Sequence, residues 1–218
     1  MDQLVFKFPF SKKYYEQDFF VSSNNFSAYK LIESWPTWPG KWLNIFGAHG
    51  SGKTHLAKIL ERKISKTKLI DAKHIDNNII QDLTNIDCLI IDSFENNIDE
   101  KLFYSILNQS KQFDNYILIN SIYSIKNVKF NLEDLQSRIN SFIFFGIELP
   151  TDDLLKVIIS KSLSEKQISI NPRISDYIIN NVERSYEKMF KFLKDVDELS
   201  LSTGKSININ LIKKVLDQ

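Results

Sequence analysis

The order of apolar and polar residues predicts strands that alternate with helices through the middle of the chain. The apolar runs are short, and a longer segment of helical pattern follows each of the first three. We predict strands at 43–46, 68–71, 88–91 and 116–119, with helices at 54–63, 74–83 and 99–111. Such alternation is typical of βαβ units, so we predict an α/β domain over residues 19–150 with a mainly parallel sheet and helices on both faces.

The end of this domain is predicted from capping signals. Asn131 is expected to be the N-cap of a short helix that carries Arg138, since acidic residues occupy its first turn. A last strand is predicted at 141–149. The first 18 residues show no sustained period, and we interpret residues 1–18 as an N-terminal tail outside the core.

The pattern becomes helical after Pro150. The segment Thr151-Asp152-Asp153 is expected to cap an apolar helix that runs to Leu163, and Asn171-Pro172 to start another. Apolar residues then recur at helical spacing up to a glycine at 204, followed by a short extended piece at 207–209 and a helix at 211–216. We therefore predict an all-helical domain over residues 151–218, whose apolar stripe forms its core.

Composition and charge narrow the class of protein. Of the 218 residues, 43% are hydrophobic and 25% are charged, which is ordinary globular usage. The formal net charge of +1 lacks the excess expected of a general DNA binder, so we expect any contact with nucleic acid to be local. The single cysteine, Cys88, and the absence of a long N-terminal apolar run favour a cytoplasmic protein with no membrane partner.

The strongest chemical signal is a phosphate-binding loop. Its pattern G-x-x-x-x-G-K-[ST] lies between a predicted strand and a predicted helix, which is the context that such a loop requires. Backbone N–H groups and the helix N-terminus would bind the phosphates, and the lysine would reach the β- and γ-phosphates. The alternative is an incidental glycine-rich turn. The loop residues are Gly47, Ala48, His49, Gly50, Ser51, Gly52, Lys53 and Thr54.

A carboxylate follows the apolar strand 88–91. A phosphate-loop protein normally binds Mg²⁺ through the loop hydroxyl and a carboxylate at the tip of a neighbouring strand. Thr54 and Asp92 fit these two roles, although Asp92 could instead be a turn or N-cap residue. Ser93 stands where ATPases of this type usually carry a second acid, which argues against fast autonomous hydrolysis. Glu95 is the nearest substitute.

Two further polar residues, Asn120 and Arg138, each have two possible roles. Asn120 follows the strand 116–119 and could bond the γ-phosphate or the attacking water, or simply end the strand. Arg138 could act as an arginine finger, or could be a surface arginine that pairs with Asp134 one helical turn earlier. His49, His55 and His74 have no neighbours at metal-ligand spacing, so we expect the first two near the loop and the third at the surface. No nucleophile elbow of a Ser/His/Asp hydrolase is present.

Four segments together resemble the AAA+ module of the DnaA/Hda family of bacterial replication proteins. They are Phe-Val-Ser-Ser-Asn-Asn at 20–25, the phosphate loop with its His-Leu extension at 47–56, Leu-Ile-Ile-Asp at 89–92 and Asp-Leu-Gln-Ser-Arg at 134–138. The likeness covers nearly the whole chain. It is greatest to the family's regulators, which end after a helical lid without a DNA-binding helix-turn-helix domain.

The resemblance implies a role for individual residues. It implies ADP or ATP as the ligand, with Mg²⁺ at Asp92 and Thr54. It places Asn120 in the first sensor region and directs Arg138 toward nucleotide on a neighbouring subunit. In the lid, Arg184 is the candidate for the second sensor, with Lys188 as a neighbour of similar chemistry. The residues implied near the adenosine and at the loop's extension are Phe20, Val21, Asn25 and His55.

The resemblance also implies partners. The N-terminal segment occupies the place of the family's peptide for the DNA polymerase III sliding clamp (the beta subunit), and Gln3, Leu4, Phe6 and Phe8 would contact the clamp. Val5 and the two phenylalanines depart from the family pattern, and these apolar residues could instead form an edge strand or a homo-oligomer contact. The other implied partner is DnaA, whose bound ATP would be hydrolysed when the regulator docks.

Other functions compete with this interpretation. A DnaA-like or helicase-loader-like replication ATPase would be expected to show a basic groove with stacking aromatics for single-stranded DNA. A P-loop small-molecule kinase would need an acceptor pocket and arginines on a mobile lid. The near-neutral charge and the few cations around the predicted loop favour the regulator.

Overall fold

The computed structural model describes residues 14–95, 97–164, 171–204 and 206–216, and the chain divides into two units. The first unit covers residues 14–148 and the second covers the described residues from 149 onward. The first contains a five-stranded sheet, all parallel, in the order β2-β3-β4-β1-β5. The strands are β1 Trp42–Gly47, β2 Thr67–Asp71, β3 Cys88–Phe94, β4 Tyr116–Ser121 and β5 Ile143–Ile147.

Helices cover both faces of this sheet, which confirms the predicted α/β class. One apolar core lies between the sheet and α1 and α2, and a second lies on the other face under α3, α4 and α5. The buried strand residues alternate between these cores: Ile90 belongs to the first, whereas Leu89 and Ile91 belong to the second. The helices of this unit are α1 Phe26–Glu33, α2 Lys53–Lys63, α3 Asn78–Asp82, α4 Glu100–Gln112 and α5 Glu133–Ile139.

The segment predicted as one helix at 74–83 is two shorter elements. A 3₁₀ turn covers Ala72–His74, and α3 begins only at Asn78. The interruption is local: the Asp76 carboxylate accepts hydrogen bonds from the backbone and the side-chain amide of Asn78. Aspartate often competes with helix formation in this way. The apolar pattern nevertheless identified the core residue Ile79.

Helix α1 was not predicted at all. It has only eight residues, and its buried side chains are Ala28, Leu31 and Ile32. A helix of eight residues has only about two turns, so its apolar residues show little helical periodicity in the sequence. Its stability comes from packing in the first core.

The predicted N-cap of α5 is wrong. The N-cap position is Leu132, and the Asn131 side chain donates to Glu100 of α4 instead of capping its own helix. The Glu100 carboxylate also accepts from the backbone N–H groups of Asn131 and Leu132, at 3.0 and 2.8 Å. These backbone bonds hold the pKa of Glu100 below its usual value. A carboxylate from a distant helix therefore caps α5, which a local signal cannot reveal.

The second unit is helical throughout its described part. Thr151 and Asn171 cap their helices through side-chain oxygens, and Gly204 ends α8 in the left-handed conformation, as predicted. The extended piece predicted at 207–209 is wrong at its end, because Ile209 already begins α9. Within the described ranges, no helix is long and apolar enough to cross a membrane. The helices are α6 Asp152–Ser164, α7 Pro172–Asn181, α8 Tyr186–Thr203 and α9 Ile209–Leu216.

The buried hydrogen bonds of Asn44 predict how a substitution changes the stability of the first unit. It is fully buried in β1, donates to Ile119 O at 3.0 Å and Ser121 Oγ at 2.9 Å, and accepts from the Ile125 N–H at 3.1 Å. Asn44→Ala leaves buried polar groups without partners, so we expect the free energy of unfolding in urea to fall by about 2–4 kcal/mol. The exposed Asn78→Ala is the control and should cost under about 1 kcal/mol. Equal losses would contradict this account.

Candidate functional site

The predicted phosphate loop connects the end of β1 to the start of α2. Gly52 has φ 98°, a left-handed value that glycine adopts without strain. A Cβ at this position would also lie 2.9 Å from Cε2 of Phe19, so the ring packs directly against the loop. The loop shape therefore needs glycine here for two independent reasons.

Lys53 directs its ammonium group back across the loop. Its Nζ donates to the carbonyl oxygens of Gly47 at 2.7 Å and Ala48 at 2.9 Å. Burial lowers the pKa of Lys53 from its ordinary value, and the Asp92 carboxylate partly opposes this shift. A desolvated ammonium held over a curled backbone is well suited to bind a phosphate group.

Asp92 is the centre of a polar network at the carboxyl edge of the sheet. Its Oδ2 accepts from Thr54 Oγ1 at 2.8 Å, and its Oδ1 accepts from Asn120 Nδ2 at 3.0 Å. The same Asn120 amide donates to the backbone oxygen of Lys53 at 3.0 Å. The network thus brings together the ends of β3 and β4 and the first turn of α2.

The donor set of this network fits Mg²⁺. The ion prefers octahedral oxygen ligands at 2.0–2.1 Å, so adjacent ligands lie about 2.9 Å apart. The Thr54 and Asp92 oxygens have nearly this separation. The Oδ1 atom of Asn120 is buried and has no hydrogen-bond partner among the described residues. A bound water or phosphate oxygen carrying a proton would satisfy it.

The residues after Asp92 provide no obvious second acid. Ser93 is exposed and has φ 56°, at a point where the pairing of β3 with β4 shifts register. Glu95 is exposed after the end of the strand. The donor set is compatible with nucleotide and metal binding, but Ser93 rather than a carboxylate follows Asp92.

The loop implied near the adenosine is held by two buried asparagines. Asn25 accepts from Ser22 N and donates to Phe20 O, at 2.9 and 3.0 Å. Asn24 donates to Glu148 O at 3.2 Å. These bonds leave the Phe20 side chain 41% exposed. Val21 makes no hydrogen bond within the described residues that would indicate its role.

Phe19 is a residue that the sequence analysis missed. Its ring stacks on Tyr29, with 5.7 Å between centroids, and meets His55 edge-on at 5.3 Å. His55 also lies 2.6 Å from the Tyr15 backbone oxygen. His49 and His74 are exposed. The apolar pair 19–20 was visible in the sequence, but nothing there indicates which of the two rings packs on the loop.

Arg138 is far from this network. It lines a cavity with Lys41 and Asn115, which immediately precede β1 and β4 and so lie at the amino edge of the sheet. The phosphate loop is at the carboxyl edge, and a strand of six residues separates the edges by about 16–20 Å. Arg138 Nε donates to Asn108 Oδ1 on α4 at 3.0 Å. Within the described residues it forms no ion pair, so Asp134 is not its partner.

The remaining candidates lie elsewhere. Arg184 belongs to the second unit, where its Nη2 is 3.1 Å from Asp152 Oδ2. The proposed clamp-binding residues Gln3, Leu4, Phe6 and Phe8 lie outside the described residues.

Comparison with known proteins shows what this chain is similar to. Residues 152–216 match the family model described as Hda, lid domain. The chain is also similar to the chromosomal replication initiator protein DnaA of Chlorobaculum tepidum, with 26% identity over 202 residues. These matches support the resemblance to the DnaA/Hda family of AAA+ proteins. The DnaA of Bacteroides thetaiotaomicron is 25% identical over 196 residues.

The extent of these similarities differs between relatives. The chain aligns over 78% and 80% of its own length, but spans only 41% and 42% of the two DnaA proteins. An uncharacterized protein of Haemophilus influenzae is 21% identical, and the alignment covers 79% of this chain and 80% of that protein. The similarity therefore covers less than half of each DnaA protein but most of the Haemophilus influenzae protein.

Solved structures agree with the AAA+ fold. Domain III of Thermotoga maritima DnaA has a TM-score of 0.74 at 19% identity, covering 96% of this chain and 98% of that one. DnaA bound to AMPPCP and single-stranded DNA has a TM-score of 0.69 at 20% identity, covering 89% and 67%. The RuvB branch migration motor of Thermotoga maritima scores 0.59 at 18% identity, covering 81% and 61%.

The phosphate loop generates a direct prediction. Lys53→Ala removes the buried ammonium, so we expect binding of ADP and ATP to fall below detection in titration calorimetry. Lys58→Ala is the matched control, because Lys58 lies in the same helix and pairs with Glu61 at 2.9 Å, away from the loop. Unchanged affinity in a folded Lys53→Ala protein would exclude this loop as the nucleotide site.

Proposed function

We propose that this protein is a nucleotide-binding regulator of replication initiation that stimulates hydrolysis of ATP bound to DnaA. In this role it binds ADP or ATP with Mg²⁺ at its own phosphate loop. The match of its second unit to the Hda lid supports the regulator over the initiator. The structure of DnaA with AMPPCP supports an adenine nucleotide as the ligand.

The position of Arg138 is the observation that most strongly supports the proposal. Its guanidinium lies at the edge of the sheet opposite the phosphate loop, too far to reach a nucleotide bound by the same chain. Asn108 engages Nε and leaves the two terminal nitrogens for another group. A planar guanidinium presented in this way can stabilise a transferring phosphoryl group that a second molecule holds.

The residues around Asp92 also support a regulator that binds nucleotide while DnaA carries out the hydrolysis. A site with a metal-side carboxylate but no second acid beside it can bind nucleotide without activating water efficiently. The regulator would therefore use its own nucleotide to stabilise its folded, docking-competent form, because any ligand that binds only the native state stabilises it. Hydrolysis would occur at the site on DnaA.

The sliding clamp is the proposed platform for this reaction. The N-terminal peptide would bind the clamp in extended form, with Gln3 forming hydrogen bonds and three apolar residues entering a pocket. Loaded on DNA, the clamp would bring the regulator close to DnaA, so DNA takes part only indirectly. This raises the effective concentration of the regulator without a strong direct contact.

Hydrolysis assays test the proposal as a whole. ATP hydrolysis is measured for this protein alone, for DnaA alone, and for both together with clamp and DNA. We expect appreciable stimulation only in the complete mixture. Fast hydrolysis by this protein alone would instead identify an autonomous ATPase. Phosphate transfer to a small molecule would identify a kinase.

Arg138→Ala tests the arginine finger. We expect single-turnover hydrolysis of ATP by DnaA to lose about a thousandfold or more of its stimulation, as in other trans arginine contacts. Nucleotide and clamp affinity should stay near wild type, because the finger contributes mainly in the transition state. Arg138→Lys should rescue little, since an ammonium lacks the planar fork.

The control for this variant is Arg173→Ala, which removes an exposed arginine of the lid with the same change of charge. It should leave stimulation unchanged. Equal hydrolysis rates with wild-type and Arg138→Ala protein would leave Arg138 as a surface residue.

The clamp peptide has its own test. In the Gln3→Ala, Leu4→Ala double variant we expect clamp affinity to weaken at least tenfold, about 1.4 kcal/mol, as measured by surface plasmon resonance. Lys12→Ala, Lys13→Ala is the control within the same segment. Full clamp affinity in the first variant would refute the proposed peptide and favour an oligomer contact or edge strand.

A further inference from the structure

A cavity of about 260 Å³ opens at the amino edge of the sheet, beside Arg138. Its walls come from the end of α4, from the segments that precede β1 and β4, and from α5. The residues that line the cavity include Lys41, Ser110, Lys111, Asp114, Asn115 and Arg138. Arg138 reaches it from α5, held through Nε by Asn108.

Two buried side chains that line this cavity have unsatisfied polar atoms. Ser110 is fully buried and Asn115 is 3% exposed. Neither Ser110 Oγ nor Asn115 Oδ1 has a hydrogen-bond partner within the described part of the chain. The Asn115 amide nitrogen is engaged by Leu83 O and Ile86 O, so only its oxygen remains free. A buried polar atom without a partner is costly, and a ligand that supplies partners is favoured.

The charges of the cavity are predominantly positive. Lys41 pairs with the Asp114 carboxylate and lies over the ring of Tyr116. Lys111 is exposed at the rim, and the described residues include no ion-pair partner for it or for Arg138. Two cations therefore remain uncompensated next to a free hydroxyl donor, which favours an anionic group.

The unsatisfied atoms Ser110 Oγ and Asn115 Oδ1 indicate which kind of anion the cavity would bind. A carboxylate accepts from the Ser110 hydroxyl and from the cations, but Asn115 Oδ1 needs a donor, which a backbone N–H or a protonated phosphate oxygen supplies. An acidic peptide segment offers both, because a backbone N–H lies next to its carboxylate. The cavity is also several times larger than a phosphate ion, whereas it suits an acidic side chain with its adjoining backbone.

We propose that this cavity is the docking pocket for an acidic peptide segment on the partner that Arg138 activates. The inference rests on the proposed function and adds the surface that recognises the partner. The carboxylate of the segment pairs with Lys111 and accepts from Ser110 Oγ, and a backbone N–H donates to Asn115 Oδ1. Docking here places the partner against the same edge of the sheet from which Arg138 projects.

Binding of ATP-loaded DnaA to the immobilised full-length protein tests this pocket, with association and dissociation rates recorded at two salt concentrations. Lys111→Glu reverses the rim charge while leaving Arg138 intact, and we expect affinity to fall tenfold or more, chiefly through slower association and with a weaker dependence on salt. Ser110→Ala removes the buried donor and should speed dissociation several-fold. Thermal unfolding checks that both variants remain folded.

Lys66→Glu is the matched control. Lys66 is exposed at the same edge of the sheet but precedes β2, three strands away from β1 in the sheet order. It should change DnaA affinity less than twofold. Equal effects of Lys66→Glu and Lys111→Glu would overturn the pocket, because the effect would then depend on net charge alone.

Inorganic phosphate is the competing probe, added at constant ionic strength. Phosphate binding that Lys111→Glu abolishes, together with unchanged DnaA affinity in that variant, would overturn the peptide and assign the cavity to a free anion. No binding of DnaA to the wild-type protein would overturn the proposed function and this inference together. Binding with normal stimulation in Lys111→Glu and Ser110→Ala would overturn this inference alone.

Discussion

The candidate nucleotide site depends on the hydrogen bonds that the Asp92 carboxylate accepts. One of its oxygens bonds Thr54 at the start of α2, and the other bonds Asn120 at the end of β4. Asn120 in turn bonds the backbone of Lys53. Three segments distant in sequence are thus joined within a few ångströms of the phosphate loop. Because the group is largely buried, these bonds are shielded from water and hold the loop against the sheet.

The parallel sheet separates the phosphate loop from Arg138. All five carboxyl ends lie at one edge with the phosphate loop, and all five amino ends lie at the other with Arg138 and its cavity. A strand's length separates the guanidinium from the phosphate loop of the same chain, as the proposed action on a partner's nucleotide requires. Helix α4 fixes this arrangement because it contacts α5 twice: Glu100 caps its N-terminus and Asn108 holds Arg138 near its C-terminus.

Several features were predictable because their signals are local. The buried strands appear as apolar runs, the phosphate loop is a contiguous pattern, and Asn171 and Gly204 cap helices through neighbouring residues. Where a partner is remote, prediction failed: Asn131 is not the cap of α5, because Glu100 approaches from thirty residues away. Phe19 was missed for the same reason, since its packing on Gly52 is a contact across the fold.

The sequence by itself determined the α/β class, the phosphate loop with its lysine, and Asp92 at a strand end, because each follows from residue type and short-range spacing. Only the tertiary structure decided that Asn120 bridges Asp92 to α2, that Asn108 rather than Asp134 holds Arg138, and that Ser110 and Asn115 line a basic cavity. The physical reason is that hydrogen-bond partners and distances between side chains are set by how strands and helices pack, and residues far apart in the chain carry no local mark of their eventual neighbours.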